Sequence, residues 1–266
     1  MTNILKTLVL ALCISCLFNC KNAKKENTEP TKKQWVNLLS RNDLNDWVIK
    51  IKGQEVGVNY KNTFKVENGI LKVNYDEYDD IFDRTFGHIY YKKPFSNYKF
   101  RMDYRFVGKQ LGDGEAWANR NSGIMIHCED PKEIGLDQNF PVSIEVQLLG
   151  GNGTDERYTA NLCTPGTHVE IDGELKKQHC IDSSSKTYHG EQWVNIEIEV
   201  RNDSIIKHFI NGEKVMEYSK PQFGGKVDYN EEKWAAKKGQ PLKGGYISLQ
   251  SESHPVEFKN IEILEL

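Results

Sequence analysis

The run from Tyr98 to Phe106 fixes the class of fold this chain can adopt. Tyr98, Phe100, Met102, Tyr104 and Phe106 alternate with Lys99, Arg101, Asp103 and Arg105, and a side-chain period of two puts the aromatics on one face and the charges on the other. A helix would spread both sets around its circumference, whereas a half-buried strand separates them. Related alternation runs through Trp193 to Arg201, Ile205 to Tyr218, Gly245 to Gln250 and Val256 to Leu264. Asn68-Gly69, Asp203-Ser204 and Asn211-Gly212 supply turns, the first inside a hairpin from Phe64 to Val73. No stretch has the length and 3.6-residue period of a major helix, and Glu231 to Lys238 is the one short candidate. The chain is therefore expected to be all-β, a sandwich of two antiparallel sheets.

The stretch from Asn121 to Gly151 carries the chemistry. Ile124 and Ile126, then Ile144, Val146 and Leu148, mark the buried faces of two adjacent strands. Strict alternation puts Met125 and His127 of one strand, with Ser143, Glu145 and Gln147 of the other, on the opposite face. A carboxylate, an amide and an imidazole would then share one sheet surface. Two readings stand: a solvated outer face, common in antiparallel sheets, or a concave sheet that holds a polar ligand.

Outside that stretch, the N-terminus is a targeting segment. Lys6 precedes an apolar run from Thr7 to Phe18, too short for a comfortable membrane span. A cysteine directly after such a run resembles the lipobox of bacterial lipoproteins, so residues 1–20 read as a lipoprotein signal with Cys20 as the acylated residue. Cys16, preceded by Ser15, is the alternative. Residues 21–34, mostly Lys, Asn, Glu and Thr, form a flexible tether. Residues 35–266 form one domain, a normal size for a single β sandwich. The expected location is the cell envelope, on a membrane and facing the periplasm. With a net charge of -3 and only short mixed lysine runs, nucleic acid is not an expected partner. In an oxidising compartment Cys163 and Cys180 are expected to pair, because Pro165, Gly166, Asp172 and Gly173 let the chain turn back between them, which leaves Cys128 as a buried free thiol.

Asn121-Ser-Gly-Ile, Ile144-Glu-Val-Gln, Gln192-Trp-Val-Asn, Phe209-Ile-Asn-Gly, Gly245-Tyr-Ile-Ser-Leu-Gln and Val256-Glu-Phe-Lys-Asn-Ile occur in that order over most of the chain. The ordered set resembles the 3-keto-disaccharide hydrolase domain family, also described as 3-keto-glucoside lyase and hydratase. The resemblance implies a concanavalin-like jelly roll with a sugar site on its concave sheet, in periplasmic or lipid-anchored carbohydrate-processing proteins. The sequence departs from the commoner pattern at His127, where Arg is frequent, and in a long insert from Asn152 to Tyr188.

A ketone at sugar carbon 3 acidifies the proton on carbon 2, so a base can remove it and the group on carbon 1 leaves by elimination, after which water adds back. That route needs a base, a stabiliser for the enolate and an acid for the leaving oxygen. Glu145 is the candidate base and His127 a candidate acid or metal ligand. Asn121, Gln147 and Gln250 are candidates for holding hydroxyls, His254 for reaching the cleft from a strand-end loop, Arg157 for an oxyanion and Trp117 for a sugar platform. A divalent ion bridging the ketone and enolate oxygens is compatible with this chemistry, although no compact ligand motif requires one. The expected partner is an oxidised glycoside or disaccharide. The alternative is a lectin-like carbohydrate-binding module with the same fold and no turnover. Glu170-Ile-Asp-Gly-Glu174 also matches the Glu-x-Asp-x-Glu pattern of laminarinase-type hydrolases, but Asp172-Gly173 reads as a hairpin turn.

Overall fold

A computed structural model describes residues 33–39 and 42–266. The signal segment, with Cys16 and Cys20, and most of the tether lie outside the described residues. Two antiparallel sheets make up the domain. The first has seven strands in the order Cys180–Ile181, Asn161–Cys163, Ile144–Leu149, Asn121–Cys128, Tyr246–Ser251, Gly87–Tyr91 and Trp47–Ile51. The second has ten, with Val194–Arg201, Asn97–Phe106 and Val256–Glu265 at its centre. This is the two-sheet antiparallel sandwich that the alternating pattern implies, and the jelly roll that the family resemblance implies.

The core forms where the inward sets of both sheets meet. Ile124, Ile126, Ile144, Val146, Leu148 and Leu249 from one sheet pack in the same cluster as Phe100, Met102, Tyr104, Ile196, Ile198 and Phe258 from the other. Burial of that apolar surface is the main stabilising contribution, each large side chain contributing roughly 1.5–3 kcal/mol. The strand Asn97–Phe106 alternates buried and half-buried residues along its length, as its sequence requires. Turns fall at Asn68-Gly69 and Asn211-Gly212, with both residues of each pair at positive φ, the conformation that two-residue hairpin loops need.

The insert after Asn152 adds to both sheets. Asn161–Cys163 and Cys180–Ile181 extend the seven-stranded sheet, while Thr167–Ile171 and Glu174–Lys176 form the edge of the other. Asp172 and Gly173 form the hairpin turn between the latter two, and Glu170 accepts a hydrogen bond from Lys220 Nζ at 2.7 Å, so the Glu-x-Asp-x-Glu run is a structural hairpin. Cys163 and Cys180 are disulfide-bonded across the edge pair, with an S–S distance of 2.08 Å and a sequence separation of 17. Closing a loop of that length contributes on the order of 3 kcal/mol through the unfolded chain. Cys128 is a buried free thiol. The helix at Glu231–Ala235 is shorter than the sequence suggests.

Candidate active site

Strand register assembles a polar floor on the outward face of the seven-stranded sheet. Met125 pairs with Glu145, and Glu145 with Cys163, across three adjacent strands. The neighbouring row holds Lys50, His88 and Gln250 on one side and Gly123, Gln147 and Asn161 on the other. Gly123 is the gap over which these rows meet: a Cβ there would lie 2.7 Å from Glu145 Oε1 and 3.1 Å from Gln250 Oε1. Its lack of a side chain lets the Glu145 carboxyl fold down against the sheet.

A second carboxyl approaches from the strand end. Glu252 follows Tyr246–Ser251 and is 3% exposed. Its turn is held by the Tyr75 hydroxyl, which accepts from Ser253 N at 2.8 Å, by Leu111 N donating to Ser253 O at 3.1 Å, and by Gln110 Nε2 donating to Ser253 Oγ at 2.9 Å. Burial raises the pKa of both carboxyls, and the charge of Glu145 raises that of Glu252 further. Two buried carboxyls whose charges interact cannot both ionise cheaply, so both favour their protonated forms relative to isolated glutamates.

These groups face a hollow of about 520 Å³, lined by Glu145, Glu252, Asn121, Gln147, Trp117 and Arg157 among others. Its size falls in the usual range for small-molecule sites, roughly 300–1,000 Å³. Arg157 Nη1 donates to Asn119 O at 2.6 Å and Gly150 O at 2.8 Å, which fixes the guanidinium at the wall with no carboxylate within ion-pair distance among the described residues. Trp117 is 49% exposed and stacks on Phe86 with ring centroids 6.0 Å apart. Asn121 Oδ1, Glu252 Oε2 and both amide atoms of Gln250 are buried without a protein partner. An unpartnered buried polar atom is costly for folding, so Asn121 Oδ1 and Glu252 Oε2 at the lining of the hollow, with the Gln250 amide beneath it, favour a polar ligand there.

The structure brings Asn121, Glu145, Gln147, Arg157 and Trp117 to one hollow and places Gln250 beneath it. His254 lies outside the lining. It is buried edge-on to Phe106 at 5.7 Å, and its pKa is pushed down to about 4 by burial and by Arg120 and Arg157. His127 requires a correction, because strict alternation fails just before it. The Asn121–Cys128 strand pairs Met125 with Ser248 but Cys128 with Tyr246, so two residues oppose one. His127 occupies the bulge at φ 48, and its Nε2–H donates to Asn202 O, 3.0 Å away, at the end of a strand of the other sheet. A bulge re-aims one side chain, and the His127 ring leaves the Glu145 face altogether. Burial holds its pKa down to about 4.

Sequence reading missed three contributors. Glu252 sits in a turn where alternation has no force. His88 lies beside Gln250 under the edge of the Phe140 ring, with an unpartnered Nε2 and a pKa pushed down to about 3 by burial and by the Lys50 ammonium. Gly123 offered a signal, since a glycine inside a strand marks close approach. Among the described residues no group of three or more His, Cys, Asp or Glu side chains is placed as a metal-ligand set.

The 3-keto-alpha-glucoside-1,2-lyase-like domain model matches residues 34–264. No curated protein sequence matches the chain. Among solved structures, a Parabacteroides distasonis protein provisionally named a glycosyl hydrolase is 18% identical, with 88% of this chain and 100% of that one aligned at a TM-score of 0.52. A second such protein from the same organism is 18% identical over 87% and 94% of the two chains, with a TM-score of 0.47. A carbohydrate-binding module from Bacillus subtilis is 10% identical over 83% and 96%, with a TM-score of 0.46. At these identities only fold is shared, and the first comparison alone is close enough to argue it.

Proposed function

Because the chain belongs to the 3-keto-alpha-glucoside-1,2-lyase-like domain family, we propose that it is an exported enzyme that cleaves 3-keto-glycosides by elimination and rehydration. Membership itself makes a carbohydrate-active protein, and the finer reading rests on the Glu145 and Glu252 pair. Elimination needs a base and an acid within one site, and two buried carboxyls that line one hollow, both raised and Glu252 raised further by the Glu145 charge, can supply both.

In this reading the Glu145 carboxylate takes the proton from carbon 2 of the ketone-bearing ring. The electron pair of that C–H bond becomes the carbon 1–carbon 2 double bond, while the bond from carbon 1 to the glycosidic oxygen breaks. Glu252 gives its proton to the departing oxygen. Water then adds at carbon 1 of the enone, Glu252 taking its proton and Glu145 returning one to carbon 2, so both carboxyls end as they began. Arg157 faces the charge that develops on the ketone oxygen, a role for a fixed, unneutralised donor. Asn121 and Gln147, which line the hollow, hold hydroxyls, while Gln250 lies beneath them. His127 has no part, since its ring faces away from the hollow.

The test is proton exchange. Hydrolysis of a 3-keto-glucoside in D2O is expected to place deuterium at carbon 2, and Glu145→Gln is expected to lose at least about 10³-fold in kcat. Hydrolysis that leaves carbon 2 fully protonated would falsify the elimination route. Half-exposed Trp117 favours a second reading, a binding module that stacks a sugar on its ring without turnover, and saturable binding with no product would decide for it. Export to an oxidising compartment is supported by the Cys163–Cys180 disulfide. Acylation at Cys20 and a periplasm-facing anchor belong to the same proposal, tested by the mass of the mature N-terminal peptide.

A further inference from the structure

A second hollow, of about 380 Å³, adjoins the first, and Phe140, Pro165 and His179 line both. Its charge has the opposite sign. Lys177 and Lys226 line it with His168 and His179, against one carboxylate, that of Asp228. Asp228 is already engaged, since it accepts from Asn139 Nδ2 at 3.1 Å and from Phe140 N at 3.3 Å. The two lysines are not. Among the described residues no carboxylate lies within ion-pair distance of Lys177 or Lys226. Lysines of the flanking elements that stay outside the lining are neutralised: Lys176 by Glu174 at 2.7 Å, Lys220 by Glu170 at 2.7 Å and Lys233 by Glu133 at 2.6 Å. Free cations are therefore confined to the hollow's edge in this region.

Backbone bonds hold these groups around one space. Gly166 N donates to Lys226 O at 3.0 Å and Gly224 N to Gly166 O at 3.0 Å, which joins the strand of His168 to the loop of Lys226. The His168 ring lies against that loop: a Cβ on Gly224 would sit 2.5 Å from its Nδ1, and one on Gly225 3.4 Å from its Nε2. Glycine at both positions leaves the ring its place. On the other side the His179 carbonyl accepts from Thr164 N at 2.8 Å, next to the disulfide. Burial lowers the His168 pKa, and the charges of Lys177 and Lys238 lower it further, so the positive field reaches the ring. Val142, Val227 and Pro141 form an apolar wall beside it. A cleft of one charge sign with such walls focuses its field on whatever enters, and an anion is what relieves the repulsion. The hollow is larger than a bare oxyanion needs, so the wall is left for the ring that carries one.

We infer that the second hollow is an oxyanion site, which takes the carboxylate, sulfate or phosphate group of an acidic sugar. That this sugar is part of the glycoside being cleaved rests on the preceding proposal, but its binding is measured without turnover. Calorimetry at low ionic strength would compare glucuronate, glucose 6-sulfate and glucose 6-phosphate with glucose and with inorganic sulfate and phosphate. At least one of the three acids is expected to bind at least tenfold more tightly than glucose and than either inorganic ion, and its identity names the anion. That preference is expected to fall to threefold or less at about 1 M salt, where the screening length is about 3 Å. Replacing both exposed lysines, Lys177→Ala with Lys226→Ala, is expected to weaken the acid at least fivefold and leave glucose within twofold. Lys220→Ala, which removes a paired lysine outside the lining, is expected to change neither by more than twofold. Equal affinity for glucose and all three acids, or a loss as large in Lys220→Ala as in the double variant, would overturn the inference. An inorganic ion bound as tightly as the best acid would overturn it in favour of a bare ion site. If 3-keto-glycosides are not turned over, the elimination proposal fails and the anion preference still decides the hollow.

Discussion

The two sheets present outward faces built from the same alternation and solved in opposite ways. On the ten-stranded sheet every carboxylate of the central strands meets a donor. Glu197 accepts from Lys99 at 2.9 Å, Glu262 from Arg101 at 2.7 Å and Glu257 from Arg105 at 2.7 Å, while Asp103 accepts from Asn195 at 2.8 Å and Asn260 at 2.6 Å. Aromatic rings cover the cations: Trp35 lies 4.0 Å from the Arg101 guanidinium, and Trp193 lies 4.5 Å from Arg105 and 4.1 Å from Lys259. On the seven-stranded sheet Glu145 faces Met125 and Cys163 across the ladder, and its electrostatic neighbour is another carboxyl. The difference lies in the cross-strand partner. A charge opposite its complement is surface, whereas a charge opposite apolar neighbours and a like charge is an unfavourable arrangement that a ligand must justify.

Exchanging one carboxyl on each face puts that contrast to its strongest test. Glu252→Gln is expected to cost at least about 10³-fold in kcat on a 3-keto-glycoside, yet to leave the thermal midpoint at pH 8 unchanged or raised, because it removes a buried charge lacking a countercharge. Glu257→Gln is expected to retain full activity. Steady-state kinetics with melting curves would check both, and a large loss of stability in Glu252→Gln would show the pair to be structural. Gly123→Ala comes next. The added methyl must displace the Glu145 carboxyl, 2.7 Å from where it would sit, so kcat is expected to fall about 10²-fold with the fold intact by circular dichroism. Retained activity would show that the close approach has no role in placing the base.

The pH profile ranks third. Glu145 and Glu252 have folded pKa values above their unfolded ones, so their contribution to stability is complete below about pH 4.3 and is lost as pH rises through the raised values. The Glu145→Gln, Glu252→Gln double variant is therefore expected to gain on wild type in melting temperature between pH 5 and pH 8. Buried His88, His127 and His254 act with the opposite sign. Their values are lowered to about 3, about 4 and about 4, so the stability they contribute is present above about pH 6.5 and lost as pH falls. For activity, the acid limb of kcat/KM should lie above the ordinary carboxylate range, because burial raises the Glu145 carboxyl. An acid limb near pH 4 in wild type would contradict Glu145 as the buried base.

Much of this contrast is legible in the sequence. Alternation with Asn-Gly turns dictated two antiparallel sheets, and it put Glu145 and Gln147 on the outward face because both lie in a regular strand. It misplaced His127 because one extra residue reverses every direction after it, and nothing in the residues from Asn121 to Cys128 announces the bulge. The trace lies just before the partner strand: Gly245 has no room for a Cβ, which would sit 2.5 Å from the His127 carbonyl carbon. Glu252 was invisible for another reason. It follows the last strand residue in a turn whose shape depends on Tyr75, Leu111 and Gln110, with the bonds of Ser253 to Gln110 and Tyr75 spanning 143 and 178 positions. No local pattern encodes that. The Cys163–Cys180 bridge was readable because its determinants are local turn residues.

The smallest expected effect comes from the paired face and checks the comparison from the other side. Arg101 and Glu262 meet at 2.7 Å across the ladder, with side chains 39% and 26% exposed. An ion pair open to solvent gains little over its hydrated parts, so a double-mutant cycle over Arg101→Met and Glu262→Gln is expected to give a coupling of about 0.2–1 kcal/mol, smaller still at 1 M salt. Trp35 on the Arg101 plane complicates the single variant, since Arg101→Met also removes a cation from the ring, and the cycle cancels that contribution because it appears in both Met-bearing corners. A coupling of several kcal/mol would mean that the charged lattice of the ten-stranded sheet is itself tightly built, and that low cost cannot be what separates a solvated face from a binding one. A coupling near zero would leave the buried carboxyls of the other sheet as the place where this fold departs from the cheapest arrangement of its polar residues.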